Sequence, residues 1–405
     1  MLFSRDRTRA QSTQALRTVG GMHWPELDGL RALAILLVIA RHSLRPFIAN
    51  DTYTPILTVG SIDLTPSLLN GWIGVDLFFV LSGFLIGRQA WRCDSLARFW
   101  FKRVTRILPA YWTCLAVVAI AITAAGRWPG ARGDFLAHVV ILQDYTGSVF
   151  VPAFWSLGAE EKFYLLAPLF VLLVARCRRT WTQACVLAAL WVCPALIRAI
   201  AAAPIDGAVS YLDYFNRYRS PFHLTSESLV LGFTIAWLSL NTSYLREPRR
   251  RLTRELMFWG GTAVVLWWLL PSEILGRIDT WTIVAAPAVI GLGFGAMVLA
   301  VVSGTGSFSP WFGWSGWRPI ATGSYTLYLT HMLAIPVAQV LAEAVSGSGG
   351  SLTARWLAFL PWYLGLSVFA AFALHRLVEK PVLDWRERFL KSSESFGAFR
   401  PIRTT

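Results

Sequence analysis

Long apolar runs separated by short polar segments dominate the hydrophobic pattern of this chain. A membrane-spanning helix needs about 20 mainly apolar residues, and ten runs approach or reach that length. They cover residues 29–47, 71–90, 107–125, 160–175, 181–201, 222–240, 255–270, 281–302, 322–340 and 355–377. The pattern predicts an all-α fold, a polytopic integral membrane helix bundle with about ten transmembrane helices.

The charges between these runs predict how the chain is oriented. Segment 88–106 holds six basic residues against one acidic residue, Asp94. Loops that stay in the cytoplasm carry an excess of Lys and Arg. Basic segments also follow the fourth, sixth and tenth runs, whereas acidic residues such as Asp63 fall in the alternate loops. Ten spans with both termini cytoplasmic satisfy this pattern.

The predicted organisation is one membrane domain, residues 25–390, between two tails. Residues 1–24 carry four arginines and lack the apolar core of a signal peptide, so we expect a flexible basic cytoplasmic tail. Residues 391–405 are predicted to form a second cytoplasmic tail.

The composition supports a membrane protein and excludes other classes. The 405 residues are 55% hydrophobic and 15% charged, whereas about a quarter of the residues in a soluble protein are charged. The net charge of +14 lies in clusters between apolar runs, without interleaved exposed aromatics, so we expect no nucleic acid partner. The five cysteines lack metal-binding spacing, and no metal is expected. The expected partner is the lipid bilayer, in the cell (plasma or inner) membrane.

Ionisable residues within the first run give the first candidate for chemistry. At about 100° and 1.5 Å per residue, a helix points Arg31 and His42 the same way, about 16 Å apart. An ionisable group inside hydrocarbon costs a few kcal/mol and must face the bundle interior or a watery cavity. His42 is therefore a catalytic candidate. The plainer alternatives are that the arginines extend to the headgroups and that His42 is a hydrogen-bonded core residue.

Polar groups also interrupt three other predicted spans. Adjacent Glu160 and Glu161 stand at the predicted outer end of the fourth run, where a helix N-terminus favours one acid but does not require two. Asp76 lies in the second run, and Tyr328 and His331 lie in the ninth. Each of these groups needs a partner inside the bundle.

The basic segment before the third run is a candidate phosphate-binding site. On a helix, either Arg103 and Arg106 or Lys102 and Arg106 share a face, at a spacing suited to binding phosphates from the cytoplasmic side. The plainer alternative is a positively charged anchor that only sets the topology. The sequence lacks the motifs of P-loop ATPases, zinc peptidases and serine hydrolases.

Six stretches together resemble the acyltransferase 3 family of integral membrane O-acyltransferases. Arg31 and His42 keep that family's spacing of ten intervening residues, Arg103 and Arg106 take its paired basic positions, and Glu160 takes its acidic position. Lys162 departs from the family, which often has Gln there. The stretches are LDGLRALAILLVIARH, GVDLFFVLSGFLI, FWFKRVTRILPAYW, FWSLGAEEKFYLLAP, YTLYLTHMLAIP and VEKPVLDW.

The resemblance implies an acyl-CoA donor, with acetyl-CoA as the first expectation, used from the cytoplasm without a permanently bound cofactor. It also implies a hydroxyl acceptor on a glycan, a glycolipid or a glycosylated small molecule. Some relatives carry an additional C-terminal hydrolase-like domain. This chain ends soon after Trp385, so we expect the membrane domain to complete the transfer by itself.

The resulting hypothesis assigns a role to each candidate. Arg31, Arg98, Arg103 and Arg106 would bind the donor phosphates. His42 would act as a general base or as a transient acyl carrier, and Glu160 would orient its imidazole. The predicted acceptor contacts are Asp76, Glu161, Tyr328 and His331.

Two alternatives come from other classes of protein. One is a proton-coupled transporter or exporter of a lipid or glycan precursor, with His42, Glu160 and Asp76 as a proton relay. The other is a structural membrane subunit whose charged side chains extend to the headgroups. A phosphate-binding segment on the cytoplasmic side favours the enzyme, because a transporter has little need of one.

Overall fold

Long helices make up nearly all of the described chain. The computed structural model describes residues 23–48, 54–147, 150–205, 207–270, 278–347 and 349–395. The long helices are α1 Pro25–Ser43, α2 Gly74–Trp91, α3 Leu96–Ala124, α4 Trp128–Val139, α5 Trp155–Ala175, α6 Thr180–Ala202, α7 Glu227–Asn241, α8 Arg251–Leu269, α9 Thr280–Ser303, α10 Trp317–Ser346, α11 Leu352–Leu374 and α12 Lys380–Ser395. The predicted all-α class is confirmed.

Short elements fill the connections between the long helices. A hairpin of two very short strands, β1 Thr58–Val59 and β2 Ile62–Asp63, lies between α1 and α2. The remaining elements are short α-helices Thr65–Leu69, Tyr211–Tyr214, Phe222–Thr225 and Ser309–Phe312, 3₁₀ turns Arg45–Phe47, Asn70–Ile73, Pro152–Phe154, Tyr244–Arg246 and Pro248–Arg250, and π-helical turns Phe215–Arg219 and His375–Glu379.

Each of the ten predicted spans falls on a long helix of the structure. In the described part of the chain, six helical stretches are long and apolar enough to cross a membrane. These are Thr65–Trp91, Leu96–Ala124, Thr180–Ala202, Thr280–Ser303, Trp317–Val345 and Leu352–Ser392. The prediction of a multi-pass membrane protein is confirmed, and the count of ten crossings stays a prediction.

Two predicted boundaries differ from the structure. Helix α3 begins at Leu96 and not near residue 107, so the basic segment forms its first three turns. Ser95 caps this helix by accepting a hydrogen bond from the Arg98 amide at 3.4 Å. Helix α12 continues to Ser395, past the predicted start of the C-terminal tail at residue 391. The predicted N-terminal tail lies outside the described residues up to residue 22.

Helix α2 is held against α7 by a contact between two glycines. A Cβ atom on Gly83 would overlap the carbonyl of Leu229, and one on Gly232 would overlap the carbonyl of Val80. Small residues allow membrane helices to approach until their backbones touch. This contact fixes the position of α2 and of its Ser82, which lines the cavity described below.

A buried ion pair fixes the N-terminal end of α2. Asp76 Oδ2 lies 2.7 Å from Arg219 Nη2, and Asp76 Oδ1 accepts a hydrogen bond from Ser228 Oγ at 3.2 Å. The Arg219 guanidinium lies 5.4 Å from the ring of Trp72 and 5.2 Å from that of Trp155. A charge buried this deeply requires such a partner. The pair therefore joins α2 to the π-helical turn Phe215–Arg219.

The predicted topology can be tested with two introduced cysteines in a variant that lacks the native ones. Arg249 is 74% exposed in a loop assigned to the cytoplasm, and Gly349 has open space around it in a loop assigned to the outside. In intact cells, a membrane-impermeant maleimide should label Gly349→Cys and should label Arg249→Cys only after permeabilisation. The opposite labelling would invert the topology.

Candidate active site

A cavity of about 280 Å³ lies among α1, α2, α3, α5 and α10. It collects polar side chains from parts of the chain that are far apart in sequence. Its polar lining residues are Arg31, Ser82, Gln89, Arg103, Arg106, Ser156, Glu160, Tyr164, Ser324, Tyr325 and Tyr328. Five residues singled out from the sequence thus share one cavity, three of them arginines predicted to bind the donor.

Helical periodicity explains why these side chains converge. Ser156, Glu160 and Tyr164 are spaced four residues apart and form one stripe along α5. Arg103 and Arg106 are three residues apart on α3 and also share a face. Because α3 begins early, both arginines are part of a helix, and the cavity does not depend on a loop to place them.

The three arginines of the cavity have different partners. Arg103 Nη2 donates a hydrogen bond to Gln89 Oε1 at 2.5 Å. Arg106 forms an ion pair with Glu379, whose other oxygen lies 2.6 Å from His375 Nδ1. The structure gives Arg31 no hydrogen bond or ion pair with any described residue, although its charge interacts with Glu160.

Glu379 is a functional candidate that the sequence analysis missed. Its side chain is 1% exposed, and it supplies the counter-charge to Arg106. The stretch VEKPVLDW was recognised as a family motif, but nothing in the sequence indicated which distant cation its acid would meet. The π-helical turn His375–Glu379 places this carboxylate against Arg106, and such turns occur often at functional sites.

The two adjacent glutamates have different surroundings. Glu160 lines the cavity together with Tyr164 and accepts a hydrogen bond from the hydroxyl of Ser82. Glu161 is half-buried outside the cavity lining, and its Oε1 has no hydrogen-bond partner among the described residues. Its predicted contact with the acceptor stays a prediction.

Lys162 contacts the loop that follows α4. Its ammonium group lies 2.5 Å from Asp144 Oδ1 and donates to the carbonyl of Ile141 at 2.6 Å. The lysine therefore fastens the segment after α4 to α5. The ammonium group also gives Asp144 a counter-charge.

His42 is paired with His331. His42 Nδ1 and His331 Nε2 are 3.1 Å apart, and the ring centroids are 5.0 Å apart. His331 Nδ1 lies 3.2 Å from the carbonyl of Leu327, which only accepts, so this nitrogen carries the hydrogen. In the neutral ring His331 Nε2 is then an acceptor, and His42 Nδ1 must donate to it. His42 Nε2 consequently carries a lone pair.

Tyr328 lies between the cavity and this histidine pair. Its ring lines the cavity and also lies 5.5 Å from the His331 ring, measured between centroids. Its hydroxyl donates to the carbonyl of Ala153 at 2.6 Å and lies 2.5 Å from Ser156 Oγ. His42 is not among the residues that line the cavity.

The structure corrects one expected contact. The sequence analysis placed Glu160 against the imidazole of His42, whereas in the described structure Glu160 binds Ser82 and His42 binds His331. Glu160 belongs to the arginine-lined cavity, and the histidine pair lies beyond Tyr328. His331 is therefore the residue that contacts the His42 imidazole, and the catalytic roles of His42 and Glu160 stay predictions.

Two other candidates lie outside the cavity. Asp76 is fully buried in its pair with Arg219, and its predicted contact with the acceptor stays a prediction. Arg98 lines a second cavity of about 360 Å³, which shares Gln89 with the first. The two cavities therefore adjoin.

Comparisons with known proteins identify relatives among acyltransferases. The chain is 26% identical to the peptidoglycan O-acetyltransferase OatA of Listeria monocytogenes over 76% of its length. It is 27% identical to the acyltransferase MdmB of Streptomyces mycarofaciens over 89% of its length, and 26% identical to the putative peptidoglycan O-acetyltransferase YrhL of Bacillus subtilis over 88%. No solved structure matches the chain.

The relatives differ in how much of their own length is matched. The chain spans 48% of the Listeria protein and 54% of the Bacillus protein, but 91% of the Streptomyces protein. A family model described as an acyltransferase domain matches residues 24–376, which is most of the chain. The protein therefore belongs to the acyltransferase 3 family.

Proposed function

We propose that this protein transfers an acyl group, acetyl in the first instance, from acyl-CoA to a carbohydrate hydroxyl. The observation that carries the proposal is the convergence of Arg31, Arg103 and Arg106 on one cavity inside a membrane bundle. The only carboxylate in the lining is Glu160, so cations outnumber acids. A site with this balance favours an anionic substrate.

The donor phosphates provide the negative charge that balances the arginines. Arginine and phosphate form strong charge-assisted hydrogen bonds, often in bidentate geometry. Arg31 has no hydrogen-bonding partner of its own among the described residues, and a phosphate oxygen would supply one. Arg106 would exchange part of its contact with Glu379 for the phosphate. The thioester arm of the donor then extends along the apolar part of the cavity, past Phe78.

The acyl step uses the lone pair on His42 Nε2. As a general base, His42 takes the proton from the acceptor hydroxyl while the hydroxyl oxygen attacks the thioester carbonyl carbon. The carbon–sulfur bond then breaks, and the leaving CoA sulfur takes the proton back from Nε2. As a nucleophile, Nε2 would instead attack the thioester carbonyl carbon and release the CoA thiolate; the acceptor hydroxyl would then take the acyl group from Nε2, and its proton would go to the thiolate. In both routes the thioester must pass Tyr328 to reach His42.

The proposed acceptor is a carbohydrate of the cell envelope, and the proposed location is the cell membrane. Two relatives are named for O-acetylation of peptidoglycan, which supports a sugar hydroxyl as the acceptor. We place the acceptor on the histidine side of Tyr328, where it meets His42 from the outer half of the bundle.

Purified protein in detergent tests this function directly. We expect it to transfer label from acetyl-CoA to an envelope-glycan extract without any membrane gradient. Arg103→Ala should raise the KM for acetyl-CoA about ten- to a hundredfold, because a hydrogen bond to a charged group contributes about 1.5–3 kcal/mol. Arg103→Lys should fall between the wild type and the Ala variant.

The matched control is Arg249→Ala, which removes an exposed arginine far from the cavity lining. It should leave the KM for acetyl-CoA unchanged. Transfer with an unchanged KM in Arg103→Ala would retain the enzyme and reject this donor site. No transfer from any acyl-CoA to any extract would reject the enzyme and favour an exporter.

A further inference from the structure

The second cavity, about 360 Å³ between the end of α2 and the start of α3, is strongly basic. Four cations line it against the single acid Asp94. Its lining residues are Arg88, Gln89, Arg92, Cys93, Asp94, Ser95, Arg98, Phe99 and Lys102. Gln89 belongs to both cavities and accepts the hydrogen bond from Arg103. One hydrogen-bonded pair therefore connects the second cavity to the arginines proposed to bind the donor.

One of the four cations has a structural role. Arg88 donates to Ser239 Oγ at 3.1 Å and lies 4.9 Å from the ring of Trp24, so it holds α2 against α7 and the chain before α1. Arg92 and Lys102 make no side-chain hydrogen bond or ion pair with any described residue. Their side chains are thus available to a ligand.

The spacing of the cations makes the cavity unfavourable without an anion. Arg88 and Arg92 are four residues apart, as are Arg98 and Lys102, so like charges face each other in both pairs, although the carboxylate of Glu387 attracts Lys102. Like charges at this spacing destabilise a helix. The N-terminus of α3, the positive end of its dipole, opens onto the same cavity at Ser95. An anion would relieve the repulsion and bind the helix end.

We propose that this cavity binds a phosphomonoester, the 3′-phosphate on the ribose of the CoA nucleotide. The inference rests on the proposed function, in which the first cavity binds the diphosphate and the thioester arm. A phosphomonoester carries a charge of about −1.5 to −2 near neutral pH, which Arg92 and Lys102 can balance. Lys102 and Arg92 bind it, and the Gln89–Arg103 contact lies between the two phosphate positions.

The headgroup of phosphatidic acid is also a phosphomonoester. The experiment therefore distinguishes CoA from this lipid as the ligand. Equilibrium binding of CoA and 3′-dephospho-CoA to the purified full-length protein needs no turnover. In the wild type, CoA should bind at least about tenfold more tightly than 3′-dephospho-CoA, because one charge-assisted contact contributes about 1.5–3 kcal/mol. In Lys102→Ala this preference should fall towards one, with the affinity for 3′-dephospho-CoA unchanged.

Two controls identify the origin of any loss. Arg103→Ala should weaken both ligands by the same factor and leave the preference intact, because it acts on the diphosphate. Arg249→Ala should change neither affinity. Added phosphatidic acid should not compete with CoA; competition that depends on Lys102, with no preference between the two nucleotides, would assign the cavity to the lipid and overturn the proposal.

The remaining outcomes are also decisive. Equal binding of CoA and 3′-dephospho-CoA to the wild type would overturn this inference while leaving the proposed donor in place. A preference that persists in both Lys102→Ala and Arg92→Ala would place the 3′-phosphate elsewhere. If neither nucleotide binds, the proposed function itself fails, and this inference fails with it.

Discussion

His42→Ala is expected to abolish acyl transfer while leaving acetyl-CoA binding unchanged. Loss of a positioned base costs about two to four orders of magnitude in rate. The donor arginines lie in a cavity that His42 does not line, so the affinity for the donor should survive. The measurements are kcat in the detergent assay and the Kd for acetyl-CoA. Undiminished activity would reject His42 and keep the enzyme.

The matched control is His23→Ala, since the side chain of His23 is 47% exposed and lies outside the bundle core. It should change neither kcat nor Kd. A loss of donor binding in His42→Ala, with His23→Ala unaffected, would show that the substitution disturbs the fold and not the chemistry alone.

Two substitutions of His331 test whether it positions the His42 imidazole. Gln retains an acceptor for the hydrogen on His42 Nδ1, whereas Leu does not. We therefore expect His331→Gln to keep more activity than His331→Leu, and both to keep more than His42→Ala. A purely packing role would favour Leu or leave the two variants equal.

Asp76→Ala is expected to destabilise the protein by about 3–5 kcal/mol. Arg219 is 3% exposed, and without Asp76 its charge would remain buried between two tryptophans. Removing one partner of a buried ion pair carries this cost because the other charge is left uncompensated. The measurement is the thermal unfolding midpoint of the purified protein, and Asp76→Ala combined with Arg219→Leu should recover part of the loss.

The control for this prediction is Asp384→Ala on α12, which breaks an exposed pair with Lys380. It should leave the unfolding midpoint unchanged. An Asp76→Ala protein of wild-type stability with an increased KM for the acceptor would restore the sequence-based assignment of Asp76 to acceptor binding.

Much of the fold follows from local patterns in the sequence. Apolar runs located ten of the twelve long helices described, all except α4 and α12, because exclusion of water from the bilayer requires each segment to satisfy its own backbone hydrogen bonds. The same pattern could not locate the start of α3, since hydropathy reports contact with lipid and not helix formation. Ser95, a capping residue directly before Leu96, was the local signal for that start.

The pairing of polar groups was harder to predict than their presence. Periodicity placed Arg31 and His42 on one face of α1. In the structure Arg31 lines the cavity, and His42 contacts His331 on α10. The hypothesis drawn from the sequence pairs His42 with Glu160 and gives His331 to the acceptor, whereas the structure pairs His42 with His331. Only the arrangement of α5 and α10 decides between them, and no local pattern encodes it. No local pattern predicts the pair of Arg106 and Glu379 either, because the two residues are far apart in the sequence.

The position of Tyr328 has a consequence for the resting enzyme. Its hydroxyl is tied to the carbonyl of Ala153 on the neighbouring segment, so the ring partitions the donor cavity from the histidine pair. In the proposed reaction, a thioester that waits on the donor side is out of reach of His42 and of any water that His42 activates. The donor is thereby protected from wasteful hydrolysis until Tyr328 moves, and the arrival of an acceptor hydroxyl is the event that makes such movement productive.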